Sequence, residues 1–172
     1  MNTNQSGWHV LYVKSRWEKK VFDSLEEISL KAFLPRIKVI NQWKDRKKAV
    51  HKPLFSSYVF VYIKSSLEFY KALSIDGACA YIRFGNEYAT VREKEIEHIR
   101  LLIGDKEITN IETGVKMPKI GDYKKILFGP LKGLECEVLK ADNYGKIFVQ
   151  INSLRQNIMA TVPLHHLEEV LT

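Results

Sequence analysis

Hydrophobic and polar residues follow two different patterns in the first half of the chain. The first pattern, short hydrophobic runs, predicts β-strands. The runs WHVLYV (8–13) and LFSSYVFVYI (54–63) are rich in β-branched and aromatic residues, as strands usually are. Residues 33–43 are predicted to be extended, and the tract WKDRKK (43–48) is predicted to form a hairpin tip or a loop. A further short strand is predicted over residues 81–84.

The other pattern is that of an amphipathic helix. Hydrophobic residues recur at helical spacing over 17–31, over 65–74 and over 93–104. A Ser or Thr followed three residues later by Glu predicts a capping box for each helix, in the pairs Ser15 and Glu18, Ser65 and Glu68, and Thr90 and Glu93. The order of these elements predicts an α+β sandwich with a mostly antiparallel sheet.

From residue 119 onward the pattern changes to short strands separated by glycine-containing turns. Residues 105–118 have no apolar periodicity and are predicted to be a linker. The predicted strands are Tyr123–Leu127, Glu135–Ala141, Lys146–Asn152, Gln156–Val162 and Leu167–Val170. Five short strands of this kind predict a small β-barrel. We therefore predict a first domain over 1–104 and a second over 119–172.

Composition sets the broad class of the protein. The chain has 172 residues, of which 45% are hydrophobic, enough for one larger domain or two small ones. No apolar run reaches the roughly 20 residues of a membrane-spanning helix, and the first residues lack the apolar core of a signal peptide. Cys79 and Cys136 lie far apart and are expected to be free thiols in a reducing compartment. These features predict a cytoplasmic protein.

Candidate catalytic chemistry is absent from the sequence. It contains no P-loop, no G-x-S-x-G and no H-E-x-x-H motif. The five histidines form no cluster with ligand spacing, so no metal site is expected. Glu93, Glu95 and Glu97 are interpreted as a solvated helix face rather than a catalytic pair. We expect neither a cofactor nor an enzymatic activity.

Positive charge is concentrated in the first part of the chain. The net charge is +7, and residues 1–107 hold 19 lysines and arginines against 13 acidic residues. Residues 31–52 alone carry eight basic side chains against the single acid Asp45. Two interpretations of this tract remain open, namely a solvated basic loop and a surface that binds a polyanion such as nucleic acid.

The segment IGDYKKILFGPLKGLECEV (120–138) resembles the KOW motif. The matching positions are Gly121, Asp122, Gly129, Pro130, Gly133 and Val138. Glycines permit positive φ at tight corners, and Pro130 fixes the backbone of its turn. Two positions depart from the motif, because Leu131 replaces the usual Phe and Cys136 replaces the third Gly.

Three segments of the first half resemble the N-terminal domain of NusG-like transcription factors. They are WHVLY (8–12), PLFSSYVFV (53–61) and YIRFG (81–85), and they occur in the family's order before the KOW motif. The resemblance implies an NGN-type domain followed by an SH3-like KOW barrel. The details are more similar to the specialised RfaH and UpxY-type paralogues than to general NusG.

The resemblance implies a hydrophobic depression that receives the tip of the β′ clamp coiled coil of bacterial RNA polymerase. The positions carried over are Tyr12, Phe55, Tyr58, Phe60, Phe84, Ile96 and Ile99. An exposed apolar and aromatic surface is what docking onto a helical hairpin requires. Periodicity alone indicates core positions instead, so both interpretations are open.

The resemblance also implies contact with non-template or upstream DNA. The basic candidates are Lys14, Arg16, Lys19, Lys20, Arg46, Lys47 and Lys48, with Lys52 beside them. Trp17 and Trp43 are candidates for stacking on exposed bases, although core packing is the alternative for Trp17. The start of the second helix (68–70) corresponds to the neighbourhood that contacts the gate loop of the β subunit.

The resemblance predicts an antitermination factor that acts as a monomer on particular long operons. In the KOW domain, Leu154 and Arg155 align with a partner-binding segment, which favours ribosomal protein S10 over termination factor Rho. One alternative is a general NusG factor that couples polymerase to Rho or the ribosome. The other is a KOW-type RNA-binding or ribosomal protein.

Overall fold

The computed structural model describes residues 6–114, 122–125, 131–141 and 144–163. Its contacts divide the chain into two compact units, Met1–Glu93 and Lys94–Thr172. The division falls at the start of the third helix, whereas the domain limits predicted from the sequence place that helix in the first domain. Each unit is described separately below.

An antiparallel sheet of five strands forms the frame of the first unit. Its strands are β1 (Gly7–Val13), β2 (Ala32–Phe33), β5 (Tyr58–Ile63), β6 (Ala78–Tyr81) and β9 (Thr90–Val91). They are ordered β2-β5-β1-β6, and β9 pairs with β1 beside β6. β1 is therefore central, with β5 along one edge and both β6 and β9 along the other.

Two helices, α1 (Glu18–Glu27) and α2 (Ser66–Leu73), cover one face of this sheet. Leu11 and Val13 of β1 pack with Val21 and Leu25 of α1 and with Ala72 of α2. Burying an aliphatic side chain of this size contributes about 1.5–3 kcal/mol relative to leaving it exposed. Because side chains alternate along a strand, Trp8, Val10 and Tyr12 project from the opposite face.

The remaining strands of the first unit form two hairpins. β3 (Arg36–Gln42) and β4 (Lys47–Pro53) pair only with each other over seven residue pairs. The Trp43 N–H donates to the Arg46 carbonyl at 3.0 Å and closes the turn, which confirms the predicted hairpin tip. β7 (Arg83–Phe84) and β8 (Glu87–Tyr88) form a shorter hairpin through the predicted turn at Gly85, whose φ is +66°.

The second unit contains a helix and a second antiparallel sheet. Its elements are α3 (Glu93–Gly104), β10 (Thr109–Gly114), β11 (Asp122–Lys125), β12 (Glu135–Ala141), β13 (Tyr144–Ile151), a 3-10 turn (Asn152–Leu154) and β14 (Gln156–Pro163). The sheet order is β10-β14-β13-β12-β11. Four predicted strands are confirmed, β12 with the predicted ends and the other three with shifted ends. The predicted strand over 167–170 lies outside the described residues, and closure into a barrel stays a prediction.

The predicted linker is partly a strand. Six of its residues form β10, which pairs with β14 from Thr109 to Gly114. The sequence hid this strand because five of its six side chains are polar or absent, whereas its backbone pairs with β14. Hydrogen bonds between main chains need no apolar stripe.

Of the predicted capping boxes, that of α2 is confirmed and that of α1 is not. The Ser65 hydroxyl accepts from the Glu68 N–H at 3.3 Å, and the Glu68 carboxylate accepts from the Lys64 N–H at 2.7 Å. The α1 box was wrong, because Trp17 occupies the N-cap position without a side-chain cap. For α3, Thr90 lies in β9 and the helix begins at Glu93, so the predicted box of these two residues stays a prediction. Among the described residues, no helix is long and apolar enough to cross a membrane.

Candidate functional site

A row of aromatic rings crosses the face of the first sheet that α1 and α2 leave free. We call it the aromatic row; its members are Tyr12, Tyr58, Phe55, Phe60 and Phe33. Ring centroids lie 6.5 Å apart between Tyr12 and Tyr58, 6.5 Å between Tyr58 and Phe55, and 5.7 Å between Phe55 and Phe60. Phe33 continues the row at 5.9 Å from Phe60.

Exposure falls steeply along the aromatic row. Tyr12 is 46% exposed, Tyr58 is half-buried, and Phe55 and Phe60 are buried. Phe60 lies in mid-strand between Val10 of β1 and Phe33 of β2, whereas Tyr58 starts β5 and has only Tyr12 opposite. The aromatic row therefore has two tyrosines at its solvent-accessible end, and the buried rings of Phe55 and Phe60 lie next to them.

The seven positions predicted to form an open depression do not share one environment. Phe55, Phe60, Ile96 and Ile99 are buried, Phe84 is half-buried like Tyr58, and only Tyr12 is well exposed. Of the two interpretations, burial favours core packing for Phe55, Phe60, Ile96 and Ile99 and leaves an open surface at Tyr12 and Tyr58. Strand and helix periods specify a face, but exposure depends on how much of that face is covered by the rest of the chain. Their role in binding stays a prediction.

The first basic group surrounds the junction between β1 and α1. The Nζ atoms of Lys14 and Lys20 lie 3.8 Å and 3.4 Å from the Asp76 carboxylate, and Lys19 pairs with Asp23. Arg16 is exposed and has φ of +67°. The charge of this group is thus partly balanced by Asp23, four positions from Lys19 on α1, and by Asp76, which is distant in the sequence.

Trp17 is covered on its ring faces. The Nζ of Lys20 lies 3.8 Å from its ring centroid and that of Lys14 lies 4.8 Å away. A Cβ added at Gly77 would lie 2.6 Å from its Cε3, so backbone approaches the ring closely. The ring also packs against the core between α1 and the sheet. This geometry favours the packing interpretation for Trp17 over base stacking.

The second basic group lies on the hairpin of β3 and β4. Arg46, Lys47 and Lys48 are exposed, as is Lys52 further along β4. Trp43 at the tip is 66% exposed, so its ring is available to a partner. Unlike the lysines of the first group, these residues have no acidic partner in the part of the chain that the structure describes.

The second unit buries the side chains at the two positions that depart from the KOW motif. Leu131 and Cys136 are buried, and burial raises the pKa of the Cys136 thiol to about 12, so it stays protonated. Gly133 has φ of +88°, as its turn requires. Asp122 begins β11, while Gly121, Gly129 and Pro130 lie outside the described residues.

The predicted partner-binding segment of the second unit has one accessible side chain. Leu154 is buried, whereas Arg155 is exposed and adopts a left-handed conformation with φ of +53°. Leu154 is therefore a core residue in this structure rather than an open apolar anchor. Arg155 remains a candidate contact.

A buried polar group at α3 escaped the sequence interpretation. Glu95 is buried, and its carboxylate accepts hydrogen bonds from the Ser153 N–H at 3.2 Å and hydroxyl at 2.5 Å. Burial lowers the pKa of the neighbouring His98, which favours its neutral form. Glu95 was wrongly assigned to a solvated face because its partner lies 58 residues away. No group of metal-binding side chains occurs among the described residues.

Comparison with known proteins identifies the family of the first unit. A model of the NusG family, whose description is transcription termination factor nusG, matches residues 6–100. In a solved structure on domain interaction in Thermotoga maritima NusG, the matched chain is 22% identical with a TM-score of 0.50. That match covers 91% of this chain and 93% of the other, and the likeness concerns the fold.

A second solved structure, the MjSpt4:Spt5 complex in conformation A, matches at 14% identity with a TM-score of 0.32. It covers 92% of this chain and 94% of that chain. The family match, by contrast, spans more than half of the 172 residues and includes every strand and helix of the first unit. The chain belongs to the NusG family of transcription factors.

Proposed function

We propose that this chain is a non-enzymatic elongation and antitermination factor that binds bacterial RNA polymerase at the β′ clamp coiled coil. The observation that carries the proposal is the aromatic row within the NusG-family domain. Tyr12 and Tyr58 offer two adjacent rings at its accessible end. Tyrosine suits such a contact, because its ring packs on apolar side chains while its hydroxyl remains hydrated.

The buried end of the row makes its accessible end rigid. Phe55 stacks on Tyr58 with an interplanar angle of 12°, and the edge of Phe60 meets Phe55 at 70°. A ring that is already held in place loses little conformational entropy when a partner packs on it. In this proposal, Phe55 and Phe60 support the docking surface and Tyr12 and Tyr58 contact the coiled coil.

A contact on α2 extends the proposed surface. Leu67 is 63% exposed and Tyr70 is 58% exposed on α2. Between them Phe69 stacks on Tyr81 at 4.0 Å and is fixed in the unit. We assign Leu67 and Tyr70 to the contact with the gate loop of the β subunit, which the resemblance implies for this helix. Bridging two parts of the polymerase suppresses pausing if the factor binds the active state more tightly than the paused state.

The specialised RfaH or UpxY-type role is the finer part of the proposal. It rests on the segments PLFSSYVFV and YIRFG and predicts read-through of particular long operons, of the polysaccharide type. Genome-wide occupancy of the factor on transcribing polymerase separates this role from a general one. Occupancy confined to a few operons supports it, whereas uniform occupancy favours a general NusG factor that couples polymerase to Rho or to ribosomal protein S10.

The docking proposal is tested with Tyr12→Ala and Tyr58→Ala in the full chain. We expect the double variant to weaken binding to a polypeptide carrying the clamp coiled coil at least about tenfold, since truncated interface tyrosines often cost more than 1 kcal/mol each. Ile28→Ala is the matched control, because Ile28 is also 46% exposed but lies at the end of α1. Binding is measured by titration calorimetry.

Wild-type affinity in the double variant would show that the docking surface is elsewhere. Co-purification with ribosomal subunits but not with polymerase would favour a KOW-type RNA-binding protein. Phe60→Ala is unsuitable for this test. Removing that buried ring is expected to lower the free energy of unfolding by about 3–5 kcal/mol, so lost binding would report lost folding.

A further inference from the structure

One edge of the first sheet carries no further strand. β6 pairs with β1 on one side, and in the part of the chain that the structure describes no strand pairs with its other side. The chain continues through Ile82 into β7. The Ile82 N–H donates to the Val10 carbonyl and its carbonyl accepts from the Ala89 N–H, so the strands that return through β8 and β9 lie on the β1 side. Residues 80–84 therefore form one continuous outer edge, which we call the free edge.

The free edge presents main-chain groups that have no partner among the described residues. The groups of Ile82 point toward β1, as its hydrogen bond of 2.8 Å to Val10 shows. Because successive residues of a strand point these groups to opposite sides, the N–H and carbonyl groups of Tyr81 and Arg83 point away from β1. No hydrogen bond to these four groups occurs in the described ranges. Such a row of unpaired groups is a template for an added strand.

Side chains on one face of the free edge continue the surface that carries the aromatic row. Ala80 is exposed and stands opposite Tyr12, which is 46% exposed. Ile82 and Phe84 follow on the same face and are half-buried. A strand added at this edge would place every second side chain beside these apolar groups. Its alternate positions are therefore expected to be apolar.

The length of the free edge is set by a bulge and a turn. Cys79 is left unpaired where Ala80 and Ala78 pair with successive residues of β1, which interrupts the edge on one side. The turn at Gly85 ends it on the other side. Natural edges are often protected by lysine or proline, but the five residues between these limits, AYIRF, contain neither. An added strand of about five residues fits this edge.

Arg83 supplies a charge on the opposite face of the free edge. Its side chain is exposed, and its Cζ lies 5.3 Å from the ring centroid of Tyr88, the residue opposite it in β8. Arg83 forms no ion pair with any residue that the structure describes. Glu87 stands opposite Phe84 and so belongs to the other face. A guanidinium held over a ring without a carboxylate is well placed to bind one.

We propose that the free edge binds an extended segment of another protein, which adds one strand to the first sheet. The segment has apolar side chains on the face of the aromatic row and an aspartate or glutamate beside Arg83. Main-chain hydrogen bonds to Tyr81 and Arg83 provide the affinity, and the alternating side chains provide the specificity. The inference goes beyond the proposed function and does not depend on docking at the clamp.

A second copy of this chain fits the free edge less well than an acidic segment. Antiparallel pairing of two free edges that satisfies Tyr81 and Arg83 puts Tyr81 of each copy opposite Arg83 of the other. The two Arg83 side chains then take diagonal positions about 7–8 Å apart on one face. Like charges at such positions oppose pairing, and the free edge offers no carboxylate to separate them.

The probe is a short synthetic peptide in which valine alternates with threonine and the central threonine is replaced by glutamate. We expect it to bind the full chain with a dissociation constant between about 1 µM and 1 mM, followed by NMR. The amides of Tyr81 and Arg83 are expected to shift and to exchange more slowly with solvent. The amide of Ile82, which is already hydrogen-bonded, is the internal control. A peptide with lysine in place of glutamate is expected to bind about fivefold more weakly, the effect of one exposed ion pair.

Two variants test the two halves of the recognition. Ala80→Lys places a charge on the free edge and is expected to weaken binding of the glutamate peptide at least about tenfold. Its matched control is Ala49→Lys, an exposed alanine of β4. Arg83→Gln is expected to abolish the preference for the glutamate peptide over the lysine peptide. Arg46→Gln, an exposed arginine of another hairpin, is expected to retain that preference.

Three results would overturn the inference. They are unchanged exchange of the Tyr81 and Arg83 amides with the peptide, equal binding by Ala80→Lys and the wild-type chain, and equal affinity of the wild-type chain for the two peptides. A dimer of the free chain in sedimentation equilibrium that Ala80→Lys abolishes would assign the edge to a second copy instead. No polymerase is present, so these outcomes are distinct from those of the test with Tyr12 and Tyr58.

Discussion

The carboxylate of Glu18 shows how one residue of α1 shapes the proposed docking surface. Glu18 is only 6% exposed, and its Oε1 accepts a hydrogen bond from the Ser57 N–H at 2.8 Å. Ser57 has φ of +62° and immediately precedes Tyr58. The first turn of α1 thus holds the strained turn from which β5 and its tyrosine begin.

Glu18→Ala is expected to lower the free energy of unfolding by about 1–3 kcal/mol, because it leaves the Ser57 N–H without its acceptor. Glu18→Gln should lose less, since an amide oxygen can accept the same hydrogen bond. Both variants are measured by urea unfolding followed by circular dichroism. Equal stability of Glu18→Ala and the wild-type chain would contradict a structural role for this bond.

The sequence predicted on which face of a strand a side chain lies, but not how much of that side chain is exposed to solvent. Alternation put Tyr58 and Phe60 on one face, and the aromatic row confirms it. It could not distinguish the half-buried ring from the buried one, because Phe60 is covered partly by Phe33, which lies 27 positions earlier in the chain. Glu18 was assigned to a capping box for the same reason, since its true partner is distant in sequence.

At the scale of elements, Gly77 joins α1 to the turn between α2 and β6. Its φ is +96°, and an added Cβ would lie 2.6 Å from Cε3 of Trp17 and 3.1 Å from Cγ2 of Val21. The Lys14 N–H also donates to the Gly77 carbonyl at 2.9 Å. A glycine is needed here both for the backbone conformation and for the close approach of the indole ring.

Gly77→Ala is expected to lower the free energy of unfolding by at least about 2 kcal/mol, because positive φ and the clash with Trp17 both oppose a methyl group. Gly104→Ala is the control, since a Cβ there meets nothing within 4 Å. Thermal unfolding of the two variants is compared. A stability loss that is no larger for Gly77→Ala than for Gly104→Ala would contradict this account.

Elements with strong local signals were predictable and those held by distant partners were not. The turn between β3 and β4 agrees with WKDRKK as a hairpin tip, although β4 itself was not predicted. β12 was predicted with its observed bounds, Glu135–Ala141. β10 was missed, because its order comes from pairing with β14 some 50 residues later. Thr90, predicted only as the start of α3, also pairs with His9 of β1, a residue 81 positions earlier in the chain.

At the scale of the whole molecule, each unit buries one of the histidines that the structure describes, and protonation of that histidine opposes folding. His9 of β1 is buried beneath Phe69 and Tyr81, and His98 of α3 is buried in the second unit. Burial lowers the pKa of both imidazoles. The Nε2 atom of His98 has no hydrogen-bond partner among the described residues, which adds to the cost of charging it.

These two pKa shifts predict a loss of stability in mild acid. The unfolded chain takes up protons near pH 6.5, whereas the folded chain resists them to lower pH, so the contribution is complete above about 6.5 and falls as pH decreases below it. Each histidine contributes up to about 1.4 kcal/mol per pH unit in that window. The free energy of unfolding is measured in urea from pH 8 to 5.

Replacement of the two histidines separates this effect from general acid sensitivity. His9→Gln and His98→Gln are each expected to flatten the dependence between pH 6.5 and 5, whatever their effect at pH 8. His51→Gln is the control, since His51 is exposed on β4. An unchanged slope in both buried variants would assign the pH dependence to other groups.

The hairpin of β3 and β4, with seven lysines and arginines over residues 36–53, has a consequence for self-association. A lone pair of strands leaves an outer row of N–H and C=O groups on each side, which is a template for β-pairing between copies. Repulsion among seven cations keeps two such edges apart at low ionic strength and weakens as salt screens it. Concentrated salt should therefore favour dimers through this hairpin.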